Sequence, residues 1–151
     1  MPYSNLVSGI VFFLSLPPLY LSITSAQLLM RYEEKTEKAA KYSNEAGRQL
    51  YKTRTTQGAA VIACVTATIS AACLTFSNSR TSTGAALAVI NAAACMSARV
   101  YVSDFWKGAA RVPGARDYND AVRATDKTIA WLGGLAGAWV GYAGYRSLLR
   151  A

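Results

Sequence analysis

The amino-acid sequence predicts an all-α integral membrane protein, folded as a four-helix bundle. Hydrophobic residues make up 52% of the 151 residues and charged residues only 16%, whereas about a quarter of a soluble domain is charged. The charges are also clustered, so four long stretches carry none: residues 5–30, 55–79, 81–98 and 128–145. Each stretch is near or above the roughly 17 residues that cross a hydrocarbon core of about 30 Å. We therefore expect a single membrane domain, 1–151, with spans near 5–30, 57–77, 82–103 and 128–148.

The net charge of +8 predicts an orientation in the membrane. Seven Lys and Arg residues lie between Arg31 and Arg54 and five between Asp104 and Lys127, against three on the opposite side of the predicted membrane. Because basic residues concentrate in cytoplasmic loops, we expect cytoplasmic loops over 31–56 and 104–127 and both termini on the non-cytoplasmic side. A nucleic-acid partner is not predicted, since no basic soluble face interleaved with aromatic residues is present.

The segments between the spans predict further helix. Favourable charge pairs four residues apart predict that span one continues as helix beyond Arg31, with a turn near 43–47 before the second helix. Pro17 and Pro18 lie inside span one and predict a bend there. The short segment 77–83 predicts a tight hairpin between spans two and three.

Small residues recur every four positions in two of the spans. Span two contains Ala59, Ala63, Ala67 and Ala71, and span four contains a glycine ridge of Gly133, Gly137 and Gly141. Small residues at this spacing let membrane helices pack backbone to backbone. The two ridges predict close helix packing, with surface enough for a homo-oligomer.

The sequence offers no ligand set for a metal. It has no histidine, and its three cysteines, Cys64, Cys73 and Cys95, lie inside spans without a CxxC pair. Structural zinc sites need such spacing, and histidine is a ligand in most catalytic zinc sites. No metal site is predicted.

Arg99 ends a charge-free stretch in span three. Steps of about one helical turn place Asn91, Cys95, Arg99, Val102 and Trp106 on one stripe, and a polar stripe on a membrane helix normally faces protein or water. Arg99 lies roughly 24 Å along the helix, close to the cytoplasmic edge. Two interpretations follow: the side chain extends to the lipid headgroups as a marker of topology, or it faces the bundle interior as part of a site.

The stretch "ARVYVSDFWKGAARVPGAR", residues 98–116, resembles the third helix and following loop of one family. This is the membrane-associated proteins in eicosanoid and glutathione metabolism, which include microsomal glutathione transferases and microsomal prostaglandin E synthase. The chain end "GYAGYRSLLRA" is similar to their last helix, and chain length, four spans and basic character also agree. Elsewhere the resemblance is only architectural.

The resemblance implies an enzyme that acts on a lipophilic substrate at the cytoplasmic membrane edge. It implies glutathione as cofactor, a glutathione-dependent transferase or isomerase activity, a homotrimer, and the endoplasmic reticulum or another endomembrane as location. A guanidinium lowers the pKa of a thiol beside it, which gives Arg99 and Arg116 the catalytic role. The implied cofactor-binding residues are Arg48, Arg54, Gln57, Tyr101 and Arg111.

The matching part of helix two, "GRQLYKTRTTQGAAV", lacks the asparagine and glutamate with which the family holds glutathione, and Trp106 replaces a tyrosine late in helix three. Two alternatives therefore stay open. One is a non-catalytic tetraspan protein, an accessory or structural subunit of a membrane complex. The other is a membrane enzyme of a different family acting on a lipophilic metabolite.

Overall fold

The structure, a computed structural model, describes residues 2–40, 44–76, 81–108 and 113–148. This part of the chain forms four α-helices and no strand: α1 Pro2–Ala40, α2 Asn44–Phe76, α3 Thr81–Trp106 and α4 Arg116–Leu148. The all-α fold predicted from the sequence is confirmed. Helix α1 continues well past Arg31, also as predicted.

The helices form an antiparallel bundle in cyclic order. Helix α1 packs against α2 and α4, and α3 packs against the same two helices, so α1 and α3 occupy opposite corners. Of the four neighbouring pairs, α2 and α3 make the least extensive contact. The α1/α2 face and the α3/α4 face are consequently opposite sides of the bundle.

Each helix turns a seam of buried residues toward the bundle axis, with steps of alternately three and four residues. The seams are Ser8, Val11, Ser15, Pro18, Ser22, Ser25 and Leu29 on α1; Gln57, Ala60, Cys64, Ala67, Ala71 and Leu74 on α2; Gly84, Ala88, Asn91, Cys95, Ala98 and Val102 on α3; and Thr125, Thr128, Leu132, Leu135, Trp139, Tyr142 and Arg146 on α4. This spacing averages about 3.5 residues, the repeat of left-handed helix packing.

The seams differ in bulk. Those of α1, α2 and α3 consist mostly of small residues, which lets the helices approach closely. Helix α4 supplies the large buried side chains, above all Trp139 and Tyr142, whose rings meet edge to face with centroids 5.9 Å apart. The aromatic and leucine side chains of α4 therefore fill the bundle axis, and they pack against the small buried residues of the other three helices.

Three of the helices are long and apolar enough to cross a membrane: Asn5–Glu34, Tyr51–Phe76 and Thr83–Trp106. Their outer faces are apolar too, with Phe13 71% and Phe76 83% exposed. Helix α4 falls short of the same hydropathy, although residues 128–145 are free of charge. Its many glycine, tryptophan and tyrosine residues are the cause, because they contribute little hydropathy.

Two features of α1 and α2 test the predicted bend and ridge. Helix α1 passes through Pro17 and Pro18 as continuous helix. On α2, Ala63, Ala67 and Ala71 are buried in the core, while Ala59 is partly exposed. The alanine ridge packs as predicted. The predicted hairpin turn between α2 and α3 falls largely on residues 77–80, outside the described part.

Two glycines of the α4 ridge do not pack inside the chain, and the prediction of close packing through this ridge, within one chain or between copies, stays a prediction. Gly137 and Gly141 are exposed, and a Cβ added to either would have no atom within 4 Å. The seam of α4 passes through Leu132, Leu135 and Trp139 instead. The ridge lies on the outer surface because large residues, not glycines, occupy the inward positions.

Candidate functional site

A buried polar node joins three helices near one end of the bundle. The Ser25 hydroxyl on α1 donates to Gln57 Oε1 at 3.0 Å and lies 2.7 Å from Thr125 Oγ1 on α4. Gln57 Nε2 on α2 donates to Thr125 Oγ1 at 2.9 Å, and Thr125 also donates to the Ala121 carbonyl. All three side chains are on the seams, where such bonds between helices hold a membrane bundle in register.

An ion pair lies beyond this node, toward the α1–α2 connection. Arg54 Nε donates to Glu33 Oε2 at 2.8 Å. The Glu33 side chain is only 6% exposed, whereas that of Arg54 is 61% exposed. The guanidinium therefore compensates a carboxylate that burial alone would disfavour, and it still presents its outer edge to the surroundings.

A cavity of about 470 Å³ opens between α1 and α2 beside this pair. Its polar side is formed by Glu33, Arg54 and Gln57, and its apolar side includes Leu29 and Val61. At the rim, Met30 is 61% and Ile62 65% exposed, so the cavity opens onto the outer face of the two helices. Its size and its mixed lining are those of a site for a small amphiphilic molecule.

An aromatic cluster closes the same end of the bundle on its other side. Tyr118 of α4 packs against Tyr32 of α1, with ring centroids 5.2 Å apart, and against Trp106 of α3 at 6.3 Å. The Trp106 indole donates to Thr56 Oγ1 at 3.3 Å. Burial, and secondarily the neighbouring Tyr32, raise the pKa of the Tyr118 hydroxyl.

A second cavity, about 570 Å³, lies between α2 and α3 and is almost wholly apolar. Tyr101 lines it, and the Tyr101 hydroxyl lies 3.1 Å from Thr55 Oγ1. Tyr101 is thus held in the α2/α3 groove and does not reach the ion pair.

Arg99 is not on the buried stripe to which the sequence assigned it. Asn91, Cys95, Val102 and Trp106 are buried, but Arg99 is exposed and Ala98 occupies its place on the seam. Repeated steps of four advance by 40° each around a helix, so a stripe needs alternating steps of three and four. Arg99 therefore belongs to the outer face of the bundle.

The structure brings two of the predicted site residues together, Arg54 and Gln57. Arg48 is exposed on the first turns of α2, and Arg116 is exposed at the first position of α4. Arg99 lies across the bundle on the α3/α4 face. Arg111 falls outside the described residues.

Sequence reasoning missed Ser25, Thr125 and Glu33. Nothing in the sequence marked Ser25, a hydroxyl in an apolar stretch, or Thr125, a hydroxyl between Arg123 and Lys127 in a charged stretch. Glu33 had a signal: it comes four residues after Leu29, so it continues the inward face of α1. A buried carboxylate on that face needs a cation beside it, and Arg54 donates to it from a largely exposed position.

The chemistry open to this site is binding and charge stabilisation. The Arg54 guanidinium offers planar donors for a carboxylate or phosphate, and the Glu33 carboxylate accepts donors. Within the described ranges, no group of three or more His, Cys, Asp or Glu residues is placed to hold a metal ion.

Comparison with protein families, with curated proteins and with solved structures gives no match for this chain.

Proposed function

We propose that this chain is an integral membrane protein that binds a lipophilic small molecule at the cytoplasmic membrane edge, in the α1/α2 cavity. The observation that carries the proposal is the cavity itself. It combines an apolar wall, Leu29 and Val61, with the polar groups of Arg54 and Gln57, and it opens outward between two helices that are apolar enough to cross a bilayer. A molecule with a polar head and an apolar body fits such a lining.

The membrane placement is part of the proposal. Helix α4 packs lengthwise on α1 and α3, and its charge-free segment is as long as a span, so we place all four helices across the bilayer. The excess of Lys and Arg around both α1–α2 and α3–α4 connections supports a cytoplasmic position for them. Both termini are then non-cytoplasmic, and we place the protein in the endoplasmic reticulum or another endomembrane.

In its finer form the proposal is a glutathione-dependent transferase or isomerase, acting as a homotrimer. Support comes from the resemblance over 98–116 and from the Arg54 side chain, which is 61% exposed and carries a guanidinium, a group that binds carboxylates. Thermal unfolding of the detergent-purified protein tests it. Glutathione at about 100 times its Kd stabilises a one-site protein by about 2.7 kcal/mol.

A glycine lining the cavity provides the structural variant for the test. A Cβ at Gly58 would meet nothing within 4 Å, so the backbone there admits a side chain, and Gly58→Leu places its bulk in the cavity. Gly9 on α1 is equally open and does not line the cavity, which makes Gly9→Leu the matched control. We expect small molecules that copurify with the wild type and Gly9→Leu to be absent from Gly58→Leu.

The outcomes separate the two levels of the proposal. Equal small-molecule content in Gly58→Leu and Gly9→Leu would show that the cavity binds nothing. Loss of a lipophilic molecule in Gly58→Leu, with no stabilisation of the wild type by glutathione, would keep the binding site and refute the glutathione-dependent activity.

A non-catalytic tetraspan subunit is the second candidate. One observation favours it: the two arginines assigned a catalytic role, Arg99 and Arg116, are not among the residues that line the α1/α2 cavity, and Arg99 lies on the opposite face. In a subunit of this kind the polar node of Ser25, Gln57 and Thr125 serves packing alone. Such a protein would copurify with a larger complex from mild detergent.

A further inference from the structure

Arg99 is a charged residue on the outer surface of the bundle. It belongs to α3, which is long and apolar enough to cross a membrane. It is exposed, and it lies inside the stretch Thr83–Trp106, seven residues before the end of α3. That distance is about 10 Å along the helix. If α3 crosses the bilayer, as proposed above, the Arg99 backbone is just within the hydrocarbon on the cytoplasmic side, and its side chain reaches the headgroup level.

The absence of a side chain at Gly133 leaves room for the Arg99 guanidinium beside α4. A Cβ on Gly133 would stand 3.1 Å from Arg99 Nε and 3.2 Å from Cζ, closer than ordinary van der Waals contact. The guanidinium therefore lies beside the Gly133 backbone, between α3 and α4.

No carboxylate compensates this charge within the chain's described residues. None of the ion pairs found there involves Arg99. Asp126 is on the same face of α4 as Gly133 but seven residues earlier, about 10 Å closer to the cytoplasm. A cation at the cytoplasmic headgroup level attracts anionic lipids, and the phosphate of such a lipid is an anion available to Arg99 from outside the chain.

The glycine ridge continues from this point toward the middle of the bilayer. Gly137 and Gly141 follow Gly133 at one-turn intervals, both are exposed, and neither has an atom within 4 Å of an added Cβ. From Gly133 to Gly141 the ridge extends about 12 Å, which is close to half the thickness of a hydrocarbon core of about 30 Å. The ridge forms a shallow groove on the surface of α4 that begins next to the Arg99 side chain.

We propose that the α3/α4 groove binds one anionic phospholipid of the cytoplasmic leaflet. The phosphate accepts hydrogen bonds from the Arg99 guanidinium, and one acyl chain lies along Gly137 and Gly141. A second copy of the chain is the less suitable occupant, because the charge-free spans carry no acid at this depth. A phospholipid supplies both the anion and the apolar chain, each at the required depth.

Native mass spectrometry of the detergent-purified protein, titrated with phosphatidylglycerol, tests the proposal. We expect one tightly retained lipid, and we expect Arg99→Gln to weaken its retention by about tenfold, the effect of losing a hydrogen bond to a charged group. Arg123→Gln is the matched control, an exposed arginine of α4 paired with Asp120 and away from the groove; it should retain the lipid like the wild type.

A second variant keeps the charge and removes the groove. Gly137→Leu leaves Arg99 in place but fills the path of the acyl chain, so lipid retention should fall while circular dichroism shows unchanged helix content. Unchanged retention in both Arg99→Gln and Gly137→Leu would overturn the proposal. So would equal retention of phosphatidylcholine, displacement of the lipid by inorganic phosphate, or loss of an oligomer in Gly137→Leu with the lipid still bound.

The test is independent of the proposed α1/α2 ligand site. Extraction of the protein from membranes by alkaline carbonate would refute the membrane placement on which this inference rests. A carbonate-resistant Arg99→Gln variant that retains phosphatidylglycerol like the wild type would refute the lipid site alone.

Discussion

Helices α3 and α4 bring an arginine onto a glycine of the neighbouring helix at both ends of their contact. At one end Arg146 of α4 lies against Gly84 of α3, and at the other Arg99 of α3 lies against Gly133 of α4. Arg146 is 7% exposed and lies over the Tyr142 ring, with Cζ 5.6 Å from its centroid, whereas Arg99 is exposed. Arg146 continues the α4 seam, and Arg99 is one residue off the α3 seam. A shift of one position thus separates an arginine built into the core from one on the outer surface of the bundle.

The largest difference in stability is expected between leucine substitutions of the two glycines, Gly84 and Gly133. A Cβ on Gly84 would stand 2.6 Å from an Arg146 terminal nitrogen, and the buried arginine has little room to move. Gly84→Leu should therefore reduce the free energy of unfolding by about 1–3 kcal/mol. Gly133→Leu should change it by under about 0.5 kcal/mol, because the exposed Arg99 swings outward. Denaturation in mixed micelles measures both, and equal losses would show that the two contacts do not differ.

A second effect separates Arg99 from the arginine on the opposite face of the bundle. Arg54→Gln removes the guanidinium beside the buried Glu33 carboxylate and should reduce stability by about 1–2 kcal/mol, less than for a fully buried pair because Arg54 is largely exposed. Arg99→Gln should stay within about 0.5 kcal/mol of the wild type. The same denaturation experiment compares them. A larger loss for Arg99→Gln would mean that this side chain is built into the bundle.

Much of the fold could be predicted from the sequence, because charge-free stretches of the right length specify long apolar helices regardless of detail. The inward face of each helix was harder. Counting by fours from Asn91 leads to Arg99, while the packed seam passes through Ala98, and only the alternation of three and four distinguishes them. The glycine ridge did not specify its packing partner, since a small residue permits close packing within the chain or with a second copy.

The candidate site was predictable only in part. Arg54 and Gln57 stood out as polar residues at the start of a span, and both line the α1/α2 cavity. Their partners Glu33, Ser25 and Thr125 come from distant parts of the chain, so no local spacing in the sequence links them. Pairing of that kind depends on the relative heights of α1, α2 and α4 in the bundle.

The buried polar node should contribute less than the Arg146 contact with Gly84 or the Arg54 ion pair with Glu33. Gln57→Leu removes the bonds to Ser25 and Thr125 and should reduce stability by about 0.6 kcal/mol, the average for hydrogen bonds between membrane helices, and by no more than about 1.7 kcal/mol. Thr55→Val, which removes the exposed contact with Tyr101, is the matched control and should cost less. A Thr55→Val loss as large as that of Gln57→Leu would contradict a special role for the node.

The smallest expected effect is a loss of stability at alkaline pH. Tyr118 keeps its proton in the folded state to a higher pH than the ordinary tyrosine pKa of 10.0. Below that value both states are protonated and the group has no effect; above it the unfolded state releases the proton first, so stability falls until the folded-state pKa is passed. Tyr118→Phe should remove this part of the pH dependence. An identical alkaline profile in wild type and variant would refute it.

The account depends most on α4 crossing the membrane beside the other three helices, and its two ends provide the direct measurement. Arg123 near the start of α4 and Leu148 at its end are both exposed, so Arg123→Cys and Leu148→Cys, each in a Cys73→Ser background, present thiols for a membrane-impermeant maleimide in sealed vesicles of known orientation. The account predicts labelling of the Arg123→Cys variant from the cytoplasmic side only and of the Leu148→Cys variant from the opposite side only. Labelling of both variants from the same side would contradict it.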